Sequence, residues 1–126
     1  MENTQPISTL NAPQAIGPYS QAYIYNGVIY TSGQIALTPQ GEFIDGDITA
    51  QSTQVLNNLK AILESAGSSL QKVIKTSVFL SDMEHFNALN AVYAEFFGSH
   101  KPARSTIAVK TLPKNALVEI ECIAVL

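Results

Sequence analysis

The chain has 126 residues, of which 46% are hydrophobic, and this predicts one globular domain spanning residues 1–126. Its net charge of −3 offers no attraction to a phosphate backbone, and no apolar run approaches the ~20 residues that cross a bilayer, so neither nucleic-acid binding nor membrane insertion is expected. Charged residues make up only 13% of the chain, so part of an unusually apolar surface is expected to be buried in a homo-oligomer. The single cysteine and the absence of a signal-peptide pattern favour a cytoplasmic protein.

The first third of the chain predicts a small antiparallel unit. A short strand is expected near Ile7, followed by an irregular segment, "NAPQAIGPYS", with too much proline and glycine for regular structure. Two apolar runs then flank Asn26-Gly27, which is the strongest short-range signal for a β-hairpin. The segment "TPQGEFIDGD" is rich in turn residues and is expected to carry a small strand extension.

A first helix is predicted from Asp47, as its N-cap, to about Ala66, with Gly67 as the C′ residue. Apolar residues recur at helical spacing along one side: Val55, Leu56, Leu59, Ile62, Leu63 and Ala66. The other side is polar: Gln51, Asn57, Asn58, Lys60 and Glu64.

The second half of the chain alternates strands with one more helix. A strand is predicted at "KVIKTSVFL", a helix from about Met83 to Phe97 between Asp82 and Gly98, and two final strands at "RSTIAVK" and "ALVEIECIAVL". A turn at residues 112–115 joins the last two strands. The order of elements predicts an α+β fold with one mixed sheet and both helices packed on one face. The other face would be covered only if subunits meet there.

One residue breaks the pattern of the second helix. The core stripe of this helix consists of Phe86, Leu89, Tyr93, Phe96 and Phe97. Asn90 lies on the same stripe and is polar. It is either an interior amide satisfied by the backbone or a contact to a ligand, and the sequence leaves both interpretations open.

The last strand carries two acidic residues on one face. Alternation places Val118, Ile120 and Cys122 on an apolar face, so Cys122 is interpreted as a small core residue. Glu119 and Glu121 share the opposite face about 7 Å apart. Either could be a solvated residue or half of an ion pair, but two idle carboxylates on a face otherwise made of leucine, isoleucine and valine are unexpected.

Arg104 is the only arginine, and it stands where an apolar strand begins. It could be an ordinary surface residue, but its position favours a guanidinium held at the protein interior, where two parallel N–H groups match a carboxylate. That carboxylate could belong to Glu119 or Glu121, giving a structural pair, or to a small substrate. His85 and His100 lack metal-ligand spacing, and no phosphate-binding loop or nucleophile-elbow motif occurs, so no metal or cofactor is predicted.

Several segments resemble the RidA (YjgF) family of reactive-intermediate deaminases across almost the whole chain: "NAPQAIGPYSQA", "TSGQI", "KTSVFLSDMEHFNALNAVYAEFF", "KPARS" and "LPKNALVEIECIAV". The combination of "PARS", a following "LP" and an "EIE" strand is specific to that family. The resemblance implies a chorismate-mutase-like fold assembled as a homotrimer, with the sheets around a central barrel and a cleft at each subunit interface.

The resemblance also implies an activity, the hydrolysis of 2-iminobutanoate and 2-iminopropanoate to 2-keto acids and ammonia. These imines derive from enamines that pyridoxal-phosphate-dependent dehydratases release. Arg104 would bind the substrate carboxylate and Glu119 would hold the attacking water, with Glu121 as a structural partner. The remaining expected substrate-binding residues are Tyr19, Ser32, Gly33, Asn90 and Thr106. Relatives often have cysteine at position 106, and contacts there are expected to involve the backbone.

Two other functions remain as alternatives. The first is a non-catalytic regulator that binds small metabolites in the same interface clefts, because a fold does not fix a function. The second is the ribonuclease or translation-inhibitor activity attributed to some relatives. The acidic charge and the absence of a basic, aromatic-rich segment disfavour this second alternative.

Overall fold

The computed structural model describes residues 4–126, which form a six-stranded mixed sheet with two α-helices. The strand order is β1-β2-β3-β6-β4-β5. The elements are β1 (Thr4–Ile7), β2 (Ala22–Tyr25), β3 (Val28–Thr31), α1 (Ile48–Ser65), β4 (Val73–Leu80), α2 (Phe86–Phe97), β5 (Ala103–Ala108) and β6 (Val118–Val125). Short 3-10 turns occupy Leu70–Lys72, Met83–His85 and Pro113–Asn115. The predicted α+β class is confirmed.

The strand connections explain the mixed character of the sheet. Every neighbouring pair is antiparallel except β4 and β5, which run parallel because α2 carries the chain back between them. Strand β5 therefore lies at one edge of the sheet, and β6 lies between β3 and β4.

The predicted hairpin and first helix are both confirmed. Asn26 and Gly27 adopt φ values of 50° and 80°, the left-handed pair that a tight two-residue turn between β2 and β3 requires. The Asp47 side chain accepts a hydrogen bond from the Ala50 amide at 2.9 Å and caps α1. Gly67 has a φ of 85° and directly follows Ala66, the C-cap residue of the helix.

The polar side of α1 is not entirely exposed, because Gln51 and Asn58 are almost fully buried. The Gln51 side chain accepts from the Leu117 amide at 2.9 Å and donates to the Gly46 carbonyl. The Asn58 side chain donates to the Leu37 carbonyl at 2.8 Å. Both amides satisfy backbone groups of loops that cross the helix, so their burial costs little.

The second helix begins later than predicted. Asp82 accepts from the Glu84 amide at 2.8 Å, but the turn it caps is the 3-10 turn Met83–His85, and α2 begins at Phe86. Gly98 ends the helix with φ of 61°, as predicted.

The two helices cover one face of the sheet, here called the inner face. Its core includes Ile24, Ile29, Val78 and Ile120, all at most 5% exposed, and Cys122, whose pKa burial raises to about 12. Cys122 is thus a core residue, as predicted.

The opposite face, called the outer face, is largely uncovered by residues 4–126. Four large side chains point from this face and are 45–51% exposed: Tyr23, Tyr25, Tyr30 and Ile107. No helix in residues 4–126 combines the length and apolar character needed to span a membrane.

Candidate functional site

Glu119 lies on the outer face of β6, where its side chain lines a cavity of about 520 Å³. Tyr19, Ser32 and Gly33 line the same cavity, as does Glu121. Four of the residues predicted for the site are therefore brought together within one chain.

A bulge at the end of β3 places Ser32 and Gly33 beside Glu119. The pairing Tyr30↔Ile123 is followed by Gln34↔Ile120, so the β3 side has one residue more than the β6 side between these pairs. The Cys122 amide, opposite the bulge, donates to the Thr31 side-chain oxygen at 2.9 Å. The extra residue turns the chain so that the Ser32 hydroxyl donates to the Ser20 carbonyl at 2.5 Å.

Gly33 is required by the close approach of the Glu119 carboxylate. A Cβ atom added at Gly33 would lie 2.0 Å from Glu119 Oε2 and 2.9 Å from its Cδ. The carboxylate therefore occupies the space that any other residue would fill with its side chain. Glycine at this position has a packing reason and not a conformational one, because its φ lies outside the left-handed region.

The pKa of Glu119 is raised above its usual value. Desolvation by burial is the larger cause, and the negative charge of Glu121 two residues along the strand adds to it. A carboxylate whose pKa is raised in this way is a better proton acceptor than an exposed glutamate. The cavity thus contains a half-buried candidate base.

The loop that carries Tyr19 is held in place by Gln21, which is 3% exposed. The Gln21 side chain donates to the Pro13 carbonyl at 2.7 Å and accepts from the Thr9 amide at 2.7 Å. These bonds fix the irregular segment along the cavity, although the Tyr19 side chain itself is 54% exposed.

Arg104 lies on the inner face at the edge strand β5, directly beside Thr76 in the parallel register. Its Nη1 donates to Asn90 Oδ1 at 2.8 Å. Its guanidinium carbon lies 4.8 Å from the centroid of the Tyr93 ring and 5.5 Å from that of Phe86, within the range of cation–π attraction. Asn90 and Arg104 line a second cavity, of about 380 Å³.

The side-chain oxygen of Asn90 is therefore paired with a side chain and not with the backbone. This oxygen orients the arginine. Thr106 also faces inward, opposite Val78 in β4. Within residues 4–126 the Thr106 hydroxyl is buried and has no hydrogen-bond partner.

The predicted site residues fall into two halves on opposite faces of the sheet. Glu119 and Glu121 pair with Phe79 and Ser77 on the outer face, whereas Arg104 lies on the inner face with α2. A structural ion pair between Arg104 and either glutamate of its own chain, one of the alternatives left open by the sequence, is therefore wrong.

Some residues at the site had not been predicted from the sequence. Gln21 precedes β2 and does not interrupt the hydrophobic pattern there, so nothing in the sequence indicated its role. Lys114 borders the Glu119 cavity and has a φ of 57°, which is strained for lysine and invisible in the sequence. Phe86 and Tyr93 were predicted as core residues, and their contact with Arg104 follows only from the position of β5 beside α2.

The similarity of this chain to known proteins covers nearly its full length. The family model for endoribonuclease L-PSP matches residues 9–126. A Lactococcus lactis protein whose name contains the word regulator, AldR, is 51% identical over 119 residues, 94% of each chain. Reactive Intermediate Deaminase A of Arabidopsis thaliana is 44% identical over 121 residues, which cover 95% of this chain and 65% of that protein. The crystal structure of E. coli TdcF with bound serine superposes with a TM-score of 0.92 at 43% identity, covering 97% of this chain and 98% of that one.

Proposed function

The chain belongs to the endoribonuclease L-PSP family, which includes the RidA (YjgF) proteins, and on that premise we propose that it is a 2-iminobutanoate and 2-iminopropanoate deaminase. Deaminase activity of the reactive-intermediate class is supported at the level of the family by its relative in Arabidopsis thaliana. Within that class, the substrates that we propose are small 2-imino acids, which are hydrolysed at the C=N bond to 2-keto acids and ammonia.

The proposed chemistry assigns one task to each half of the site. Arg104 binds the substrate carboxylate through two parallel N–H···O bonds and so fixes the position of C2. Glu119 removes a proton from water while the water oxygen forms a bond to C2 of the protonated imine, giving a carbinolamine. Glu119 then transfers that proton to the amino nitrogen. As the C–N bond breaks, the C2 hydroxyl loses its proton to Glu119, which passes it to the departing ammonia, and the keto acid leaves.

The proposal requires a second copy of the chain, because one protomer holds Arg104 and Glu119 on opposite faces of its sheet. We propose a homotrimer in which the Glu119 cavity of one protomer faces the Arg104 cavity of the next. A cyclic arrangement of three copies then contains three equivalent sites. The exposed tyrosines of the outer face and the low charge content of the chain support burial of this surface between copies.

The main support for the proposal is that the key group in each half of the site is already held in place within its own protomer. The Arg104 guanidinium is already oriented by Asn90 and two aromatic rings, and the Glu119 carboxylate is already packed against Gly33 with a raised pKa. An oriented cation and a half-buried base, each beside an open cavity, are the two groups that imine hydrolysis needs.

The first test measures keto acid and ammonia released from 2-iminobutanoate that a dehydratase generates in the same cuvette. We expect release to be faster with the protein than without it, and Glu119→Gln to lose most of the acceleration. Arg104→Lys keeps the charge but loses the paired donors, so most activity is expected to disappear. Wild-type rates for Arg104→Lys would contradict the proposed role of the guanidinium.

The second test asks whether one site uses two chains. Arg104→Ala and Glu119→Gln proteins are each expected to be inactive, whereas subunits of the two, unfolded together and refolded at equal amounts, are expected to recover about a quarter of wild-type activity in a cyclic trimer. One site in each mixed trimer then has both intact groups. No recovery, despite mixed trimers seen by native mass spectrometry, would show that the site is not shared.

A regulator that binds ligands without catalysis is the second candidate, because the Lactococcus lactis relative carries the word regulator in its name. The same assay separates the two functions. Binding of 2-oxobutanoate without any acceleration of imine hydrolysis would favour the regulator. The name of the family model includes ribonuclease activity, but a net charge of −3 disfavours an RNA substrate.

A further inference from the structure

Thr76 is a fully buried polar residue in the centre of the inner face. It is 0% exposed and lies between Arg104 in β5 and Cys122 in β6. Valine has nearly the same shape and no hydroxyl to satisfy, so a threonine here is costly unless its hydroxyl has a partner. The partner is the Tyr93 hydroxyl, 2.7 Å from the Thr76 oxygen.

This hydrogen bond fixes the Tyr93 ring at both ends. The ring is attached to α2 through its Cβ and to β4 through its hydroxyl, so its position is restrained at both ends. Burial raises the pKa of Tyr93. Its hydroxyl therefore stays protonated and keeps the hydrogen bond to Thr76 over the usual pH range. The ring also contacts Phe97, with centroids 4.5 Å apart, and this packing restrains it further.

The fixed ring is the nearest aromatic surface to Arg104, at 4.8 Å, with Phe86 at 5.5 Å and Asn90 Oδ1 at 2.8 Å from Nη1. The guanidinium has five N–H donors, and Asn90 uses one of them. The contacts with α2 thus leave the other N–H donors of Arg104 available to an incoming carboxylate.

We propose that Thr76 and Tyr93 are positioning residues: their hydroxyl pair fixes the Tyr93 ring, and the ring holds the Arg104 guanidinium in the orientation that binds a carboxylate with two parallel bonds. The role in ligand binding rests on the function proposed above, whereas the effect on the mobility of Arg104 does not. A purely structural role for the hydroxyl pair would change stability and leave the guanidinium unaffected.

The experiment uses the fact that Arg104 is the only arginine, so its side-chain N–H groups give a single set of NMR signals. In the wild-type protein we expect slow rotation of the guanidinium and separate Nη proton signals on cooling. Thr76→Val and Tyr93→Phe each remove one hydroxyl, and both are expected to speed this rotation. Thr76→Ser keeps the hydroxyl and is expected to restore the wild-type spectrum.

A parallel titration with 2-oxobutanoate measures the consequence for binding. Loss of one supporting hydrogen bond is expected to raise the dissociation constant about two- to tenfold in Thr76→Val and Tyr93→Phe. Thr49→Val, which removes a hydroxyl from an exposed threonine on α1, serves as the matched control for Thr76→Val and is expected to change neither measurement.

The outcomes are distinct. Wild-type guanidinium rotation in folded Thr76→Val and Tyr93→Phe would overturn the proposal, and so would faster rotation that Thr76→Ser fails to restore. Faster rotation together with no 2-oxobutanoate binding, even by the wild-type protein, would support the positioning of Arg104 and count against the proposed function instead. Thermal unfolding of each variant confirms that the compared proteins are folded.

Discussion

Replacing Gly33 with alanine is expected to lower activity sharply while leaving the fold intact. The added Cβ would lie 2.0 Å from Glu119 Oε2 and 3.1 Å from Cγ, so one of the two residues must move. The Gly33 backbone is held on both sides, because the Ser32 amide donates to the Gln21 carbonyl and the Gln34 amide donates to the Ile120 carbonyl. The end of a flexible glutamate side chain is the part that yields.

The size of the effect follows from these distances. Ordinary contact begins at 3.4 Å, so Oε2 must retreat by about 1.4 Å from its present position. A misplacement of about 1 Å in a catalytic group costs about 100-fold in rate, equivalent to about 2.7 kcal/mol of the activation barrier. The free energy of unfolding should change by less than about 1 kcal/mol, because only a half-exposed side chain is displaced.

The assay is hydrolysis of dehydratase-generated 2-iminobutanoate, compared with 2-oxobutanoate binding, which depends on Arg104 and is expected to change little. The decisive control is the Glu119→Ala background, where the carboxylate is gone and Gly33→Ala should cause no further loss. A wild-type rate for Gly33→Ala, or losses that multiply in the double variant, would refute the argument that the glycine acts through Glu119.

Three further predictions concern single substitutions. Glu121→Gln removes a negative charge that raises the pKa of Glu119, so that pKa should fall and the acid limb of the rate profile, where the base becomes protonated, should move to lower pH; an unmoved limb would contradict this. Thr106→Val removes a buried hydroxyl without a partner in residues 4–126 and should raise the free energy of unfolding by about 1 kcal/mol in urea denaturation. Binding of 2-oxobutanoate by that variant is expected to be unchanged, because contacts at position 106 are expected to involve the backbone, and weaker binding would contradict this. Asp47→Ala should destabilise the fold by about 1 kcal/mol through loss of the helix cap, and Asp45→Ala, an exposed neighbour, should have almost no effect.

Local signals in the sequence predicted nearly every element of the fold. Asn26-Gly27 can form a tight turn because both residues tolerate positive φ, and Asp47 and Gly67 mark the ends of α1 for reasons confined to a few neighbouring residues. Gln51 and Asn58 show where local reasoning stops. Their partners are the Leu117 amide and the Leu37 carbonyl, which are brought to the helix by distant parts of the chain.

Three residues of the candidate site could be picked out from the sequence one by one, but their arrangement in space could not. Asn90, Arg104 and Glu119 each break an apolar pattern, and a buried polar group needs a reason that can be sought in function. The side of the sheet on which each residue lies depends on strand pairing. Only the parallel register of β5 with β4 places Arg104 on the inner face, and only the antiparallel register of β6 places Glu119 on the outer face.

This separation has a consequence for how the proposed trimer would work. Each half of the site is organised by contacts within its own protomer: Asn90 and Tyr93 orient Arg104, and Gly33 seats Glu119. Assembly therefore has to bring together two groups that are already ordered. The entropy lost in ordering them does not weaken the free energy of association. It also follows that substitutions at the subunit interface should change the distance between the two halves, whereas substitutions such as Thr76→Val or Gly33→Ala should disturb one half alone. Kinetic constants that separate binding of the carboxylate from proton transfer would distinguish these two kinds of defect.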